Sequence, residues 1–174
     1  MPKKPIKEQI FVGFSTTKKF NIIASLIHFF EQRPYSHVYV RIPSQSLGRD
    51  LIYEASGLSV HFNSKNSLLS RSKIIKEYAI NVSPGTKVKV LQFAIDNLEK
   101  PYGGLQLVGM IWVILCRRFG WKHAKNPFHS GFICSELVAA VLKELGYTMP
   151  EDLNSVGPRE VDDILKTLQD SNKL

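Results

Sequence analysis

Residues 9–15 (QIFVGFS) form a short apolar run bounded by polar residues, after which apolar residues recur at helical spacing, and such changes of pattern repeat along the chain. A period of two marks a half-buried strand and one near 3.6 an amphipathic helix. The first change predicts a strand over 9–15 and a helix over 18–32, with Phe20, Ile23, Ala24, Ile27 and Phe30 on one side. Three short β-rich runs, 36–42, 50–56 and 58–63, are separated by Pro43, Gly48 and Gly57 and read as an antiparallel meander. Another strand is expected over 77–83. Beyond PGT, Val88, Leu91, Ile95 and Leu98 share a helical face that stops at KPYGG. A strongly apolar helix follows over 105–116. From Cys134, the residues Leu137, Val138, Val141, Leu142 and Leu145 form one stripe of a helix ended by Gly146. The last helix opens at Pro158 and runs through Val161, Ile164, Leu165 and Leu168. Strands and helices in this order predict one α+β domain over 1–174, with a basic tail at 1–8 and a short tail at 169–174.

Composition supports a real core: 44% of the 174 residues are hydrophobic, with ten phenylalanines and two tryptophans. The formal charge of +8 comes from scattered lysines and arginines, while acids gather near the end in PEDLNS and REVDD. Such a balance favours polyanions or anionic surfaces, among them acidic phospholipid and bacterial wall polymer. Nucleic acid ranks low, because the basic residues rarely alternate with aromatics and no zinc-finger, helix-turn-helix or RNA-binding signature is visible. The start MPKKPIKEQIFVGFS lacks a signal-peptide pattern, so a cytoplasmic product is expected, with lysis or a phage particle as routes outward. The longest uncharged apolar stretch, 101–116, is shorter than the roughly 20 residues a membrane span needs. Two cysteines make no disulfide framework, and reduced thiols are expected.

Cys134 starts its helix and belongs to the inward stripe, so it can be a small buried hydrophobe. Its place changes the chemistry. With Ser130 and Gly131 as cap residues, it lies in the first turn, where unpaired amides and the positive end of the helix dipole favour a thiolate. A nucleophile needs a base. His28 and His123 read as a helix flank and part of a basic connection, and His129 as a loop residue or substrate contact. His61 lies in a predicted strand. His37 shares its strand face with Tyr39 and Arg41 and can point from the sheet toward a helix end. Glu54, on the next strand, can reach the far nitrogen of His37, orient the ring and stabilise its cation.

The ordered set YSHVYV, IYEASG, KPYGGLQLVG and GFICSELVAAVLKELGY resembles the circularly permuted branch of the NlpC-type papain-like cysteine peptidases, which also includes lecithin retinol acyltransferase-like enzymes. The resemblance runs from Tyr35 to about Asp163. CSELV opening an apolar helix is its most specific piece. It implies a permuted papain-like fold, an antiparallel sheet packed against the cysteine helix, with the histidine strand preceding that helix. It further implies Cys134 as nucleophile, His37 as base and Glu54 as the third polar group, with His61 as competitor for that last role. Tyr102 of PYGG matches a tyrosine beside the site, lining the cleft or polarising the carbonyl, although two following glycines also fit a plain turn. The Cys134 amide is expected to serve the oxyanion, and Glu136 to stay solvated on the polar side of the helix.

The expected reaction is cleavage of an amide through an acyl-thioester, with a cell-wall peptide as the substrate the resemblance implies. An alternative is acyl hydrolysis or transfer on a lipid, for which Leu107, Met110, Ile111, Trp112, Ile114 and Leu115 beside Arg117 and Arg118 suit an interfacial helix as well as a core helix with a snorkelling end. A non-catalytic binding or structural module is the third reading. Cys116, His123, His129 and Cys134 lack the close CxxC pair of a zinc site, so no metal or cofactor is expected.

Overall fold

The computed structural model describes residues 8–128 and 131–174; the side chains of Ile23 and Phe30 lie outside that description, as do His129 and Ser130. Among the described residues five strands form one antiparallel sheet accompanied by six α-helices, an α+β architecture. The strands are β1 (Glu8–Thr17), β2 (His37–Ser44), β3 (Arg49–Ser56), β4 (Ser59–Ser64) and β5 (Ser72–Val82), ordered β4-β3-β2-β1-β5. The expected meander is β2-β3-β4. Its turns use Gly48 and Gly57 at φ 59° and 65°, a region that favours glycine. β5 then crosses to the opposite edge and pairs with β1, with a bulge between Phe14 and Ser15.

The helices are α1 (Ile22–Glu31), α2 (Lys65–Arg71), α3 (Pro84–Asp96), α4 (Gly104–Arg118), α5 (Cys134–Glu144) and α6 (Pro158–Asp170). α5 lies at the centre. Leu137, Val138, Val141 and Leu142 are fully buried against Val38 and Val40 of β2, Ala55 of β3 and residues of α3 and α6. Burial of each such side chain contributes about 1.5–3 kcal/mol. Because the core fixes this face, the helix start is fixed too. α6 is tied down by buried Asp162, which accepts hydrogen bonds from Tyr35 at 2.5 Å and Tyr78 at 2.7 Å. The other sheet face is thinner: Tyr39, Ile52 and Leu68 cluster under α2.

Several sequence expectations shift. The first helix begins at Ile22, because Asn21 caps it by accepting the Ala24 N–H at 3.1 Å; Phe20 is exposed ahead of the cap. α2 was not anticipated, and β5 starts five residues before the expected strand. The inward face of α3 carries Val90 and Ala94, with Leu91 and Leu98 packed beside them, whereas Val88 and Ile95 are exposed. The expected stripe is therefore turned by about one residue, or ~100°. The small Ala94 lets α3 approach α5 where Ile95 would hold it away. β1 takes in Glu8 and α6 runs to Asp170, so both expected tails are shorter.

Candidate active site

His37 is the first residue of β2. Extending the Val40↔Tyr53 register places Glu54 opposite Tyr39, on the same face as His37 and one diagonal step away. The side chains meet there: His37 Nε2 lies 2.8 Å from Glu54 Oε2. Glu54 is fully buried, and its other oxygen accepts from Asn63 Nδ2 at 2.9 Å and from Arg71 Nη2. Burial opposes its charge, but the bond and charge of His37, then Asn63 and Arg71, overcome this and lower its pKa from 4.5 to about 2. Glu54 is thus a fixed anion behind the imidazole.

Cys134 is the first helical residue of α5, buried, with Ile133 as N-cap in extended conformation. Its side chain and that of His37 line one groove, and the sulfur acts on the His37 ring. Since Glu54 engages Nε2, Nδ1 is the nitrogen left for the thiol. Burial works against a charged ring, but the contacts with Cys134 and Glu54 prevail and raise His37 from 6.5 to about 9. The ring can bridge the two groups because it stands at the beginning of its strand, where the sheet ends and the helix starts.

The amides of the first helical turn have no acceptor within the helix, and the first backbone bond of α5 runs from Leu137 N–H to Ile133 O at 3.0 Å. Of the expected cap residues, Ser130 lies outside the described residues and Gly131 is not the cap. Ile133 occupies that position, and Glu136 lies three residues on, in the first turn. Glu136 is buried rather than solvated, correcting the sequence expectation: α4 covers it, and Gln106 Nε2 donates to its carboxylate at 2.5 Å. Burial dominates there and raises its pKa from 4.5 to about 7, against the hydrogen bonds from Gln106 and Ile133.

Tyr102 sits in a turn and also lines the groove. Phe132 N–H donates to Pro101 O and Gly103 N–H to Phe132 O, each at 3.0 Å, so the PYGG turn forms a short parallel bridge with the approach to α5. Gly131 makes this possible. Its φ is +86°, and a Cβ there would stand 2.2 Å from Pro101 O. The Tyr102 ring lines the same groove as Cys134, and burial, then the charge of Cys134, raises its hydroxyl pKa. The groove holds about 310 Å³, with His37, Tyr102 and Cys134 meeting apolar walls from Ala24 and Ile27 of α1 and Leu107 of α4.

His61 stands apart from His37. Its Nδ1 donates to Ser59 O at 2.9 Å, Nε2 accepts from Asn63, and Glu54 Oε1 is 3.7 Å away. Glu54, rather than His61, is therefore the group hydrogen-bonded to His37. His129 lies outside the described residues. Cys116 is free and buried on α4. Asn63, Arg71 and Gln106 were missed by the sequence reading; Asn63 alone had a signal, two residues from His61 on one strand face. Among the described residues, no three of His, Cys, Asp and Glu converge in a way that could hold a metal, and no helix is long and apolar enough to cross a membrane. No protein-family model matches the chain, and no curated protein matches it.

Proposed function

We propose that this chain is a cysteine hydrolase that cleaves an amide bond through an acyl-thioester on Cys134. The observation that carries the reading is that a buried Glu54 carboxylate holds the His37 imidazole at 2.8 Å, and that this ring shares a groove with the Cys134 sulfur at a helix start. His37 takes the thiol proton, and the sulfur attacks the carbonyl carbon. First-turn amides of α5 stabilise the oxyanion. The tetrahedral intermediate collapses, the C–N bond breaks, and His37 returns the proton to the departing amine. Water, deprotonated by His37, then attacks the thioester and releases the acid and the thiol.

The finer fold assignment, a circularly permuted NlpC-type papain-like domain, belongs to the same proposal. Its support is the histidine strand preceding the cysteine helix and the packing of α5 on an antiparallel sheet. With that assignment the leading substrate is a cell-wall peptide. A lipid acyl chain is the second reading, favoured by the apolar walls Ala24, Ile27 and Leu107.

Mass spectrometry of protein treated with an electrophilic thiol probe near neutral pH tests the centre of the proposal. Cys134 should be labelled first, and His37→Ala should slow its labelling. Preferential labelling of Cys116 would overturn the assignment, and an inert Cys134 would favour the non-catalytic module. Peptide release from purified wall material, set against fatty-acid release from phospholipid vesicles, separates the two substrate classes.

A further inference from the structure

α4 is apolar on both sides, although only one is covered by the described residues. Leu107, Met110 and Val113 face inward, while Leu105, Val108 and Trp112, spaced i, i+3 and i+7, are 62%, 58% and 53% exposed. α1 packs on α4 through Ile27, Leu107 and Met110. It repeats the pattern: Ile22, Leu26 and Phe29, spaced i, i+4 and i+7, point outward, with Ile22 68% and Phe29 74% exposed. Phe20, Phe119 and Trp121 add exposed aromatics at the ends of these helices. Apolar stripes on two adjoining helices are far more than the scattered single residues a soluble surface carries.

Charge identifies what covers them. Residues 18–30 and 104–128 contain no Asp or Glu, but they contain Lys18, Lys19, Arg117, Arg118, Lys122 and Lys125. All of these except Arg117, which is paired with Glu160, are exposed. Aromatic and aliphatic residues on a helix flanked by cations match the headgroup boundary of an anionic bilayer. A second copy fits poorly, because it would set Arg118, Lys122 and Lys125 against their equivalents on a chain of net charge +8. α4, 15 residues long, is too short to span.

We propose that α1 and α4 form a docking surface for an anionic phospholipid bilayer, their outward stripes entering the acyl boundary and the exposed lysines and arginines meeting lipid phosphates. The groove of Cys134 is walled by the same two helices, so docking brings it to the lipid surface. The proposal rests on these faces and their charge, independently of the chemistry assigned to Cys134.

The test uses the full chain carrying Cys134→Ala, so that turnover does not alter the vesicles. The chain has two tryptophans, Trp112 and Trp121, both on this surface, which makes intrinsic fluorescence a direct reporter. Mixed phosphatidylglycerol and phosphatidylcholine vesicles should shift the emission to the blue and sediment with the protein. Pure phosphatidylcholine, or high salt, should bind about tenfold more weakly. Trp112→Ser combined with Phe29→Ser should weaken sedimentation with mixed vesicles about tenfold with an unchanged circular-dichroism spectrum. Arg118→Glu with Lys122→Glu should abolish the preference for anionic lipid. No partition into mixed vesicles would overturn the proposal, as would full binding by the doubly substituted stripe variant. A lipid-independent dimer that the stripe variant dissolves would also overturn it. Failure here with active Cys134 chemistry would remove the membrane surface alone.

Discussion

Glu54→Gln is the most discriminating single change at the site, because it keeps the shape of the side chain and removes only its charge. His37 is raised from 6.5 to about 9, with Cys134 and Glu54 as the groups that raise it. If removal of the Glu54 charge lowers His37 by about one unit, the imidazolium loses about 1.4 kcal/mol. At pH 9 the proton would then occupy about one ring in eleven instead of about one in two. The same coupling is visible from the other partner, since His37 is the foremost group lowering Glu54 to about 2. The fold should survive. Asn63 can still donate to the amide oxygen, and the Arg71 side chain, 40% exposed, can turn toward water.

The assay is a nuclear magnetic resonance titration of the His37 ring, paired with turnover against pH. In the wild type the ring should titrate near 9, and activity should fall on the alkaline side as the imidazolium is lost. In Glu54→Gln both midpoints should move to about 8, with little change at pH 6. An unmoved His37 midpoint in a folded variant would refute the reasoning, because a carboxylate 2.8 Å from the ring cannot be removed without changing the proton affinity if it acts as described.

Cys134→Ala should reduce turnover to background and His37→Ala should reduce it by on the order of 10²–10⁴, whereas Cys116→Ser should retain turnover and melt earlier. Gly131→Ala should destabilise by about 2–4 kcal/mol, because it combines a left-handed backbone with a collision at Pro101 O, and it should slow thiol labelling at Cys134. Thermal stability should peak near pH 5. Glu54, lowered to about 2, stabilises above 4.5 and loses its contribution as pH falls through 2. Glu31, raised to about 8, Glu136, raised to about 7, and His37, raised to about 9, favour the protonated folded state and lose stability as pH rises through those values. Calorimetry across pH should therefore find a fall from 5 to 9 that Glu31→Gln flattens below pH 8, and a rise instead would contradict the burial assigned to these acids.

Legibility in the sequence followed the strength of local pattern. β1 to β4, α5 and α6 were readable because apolar positions kept one period and glycine or proline marked the turns. α2 was not. Its seven residues bury only Leu68, and its start depends on the Ser64 side chain accepting the Ser67 N–H. The early part of β5, Ser72 to Lys76, carries Lys73 and Lys76 and becomes a strand by pairing with β1 beyond its bulge. The face of α3 was misjudged for a related reason: Val88 and Ile95 keep helical spacing, but the sheet and α5 select the narrower side with Val90 and Ala94.

The site divides along the same line. His37 and Glu54 could be paired in advance because adjacent strands of a meander share a face at even offsets, and Cys134 stood out because a helix stripe began on it. What holds those groups in place comes from elsewhere in the chain. Arg71 reaches Glu54 from the end of a helix the pattern did not reveal, and Gln106 buries Glu136 from 30 residues away. Glu136 makes the physical point most sharply. As part of a helical pattern it is an outward charge; once α4 lies over it, it becomes a buried carboxyl in the first turn of α5, held by Gln106. α4 therefore contributes on two sides at once, its inner face fixing the start of α5 beneath the sulfur and its outer face remaining apolar toward the surroundings. A helix that had only to fill the core would need no such outer face, and one that had only to meet a lipid surface would need no Gln106.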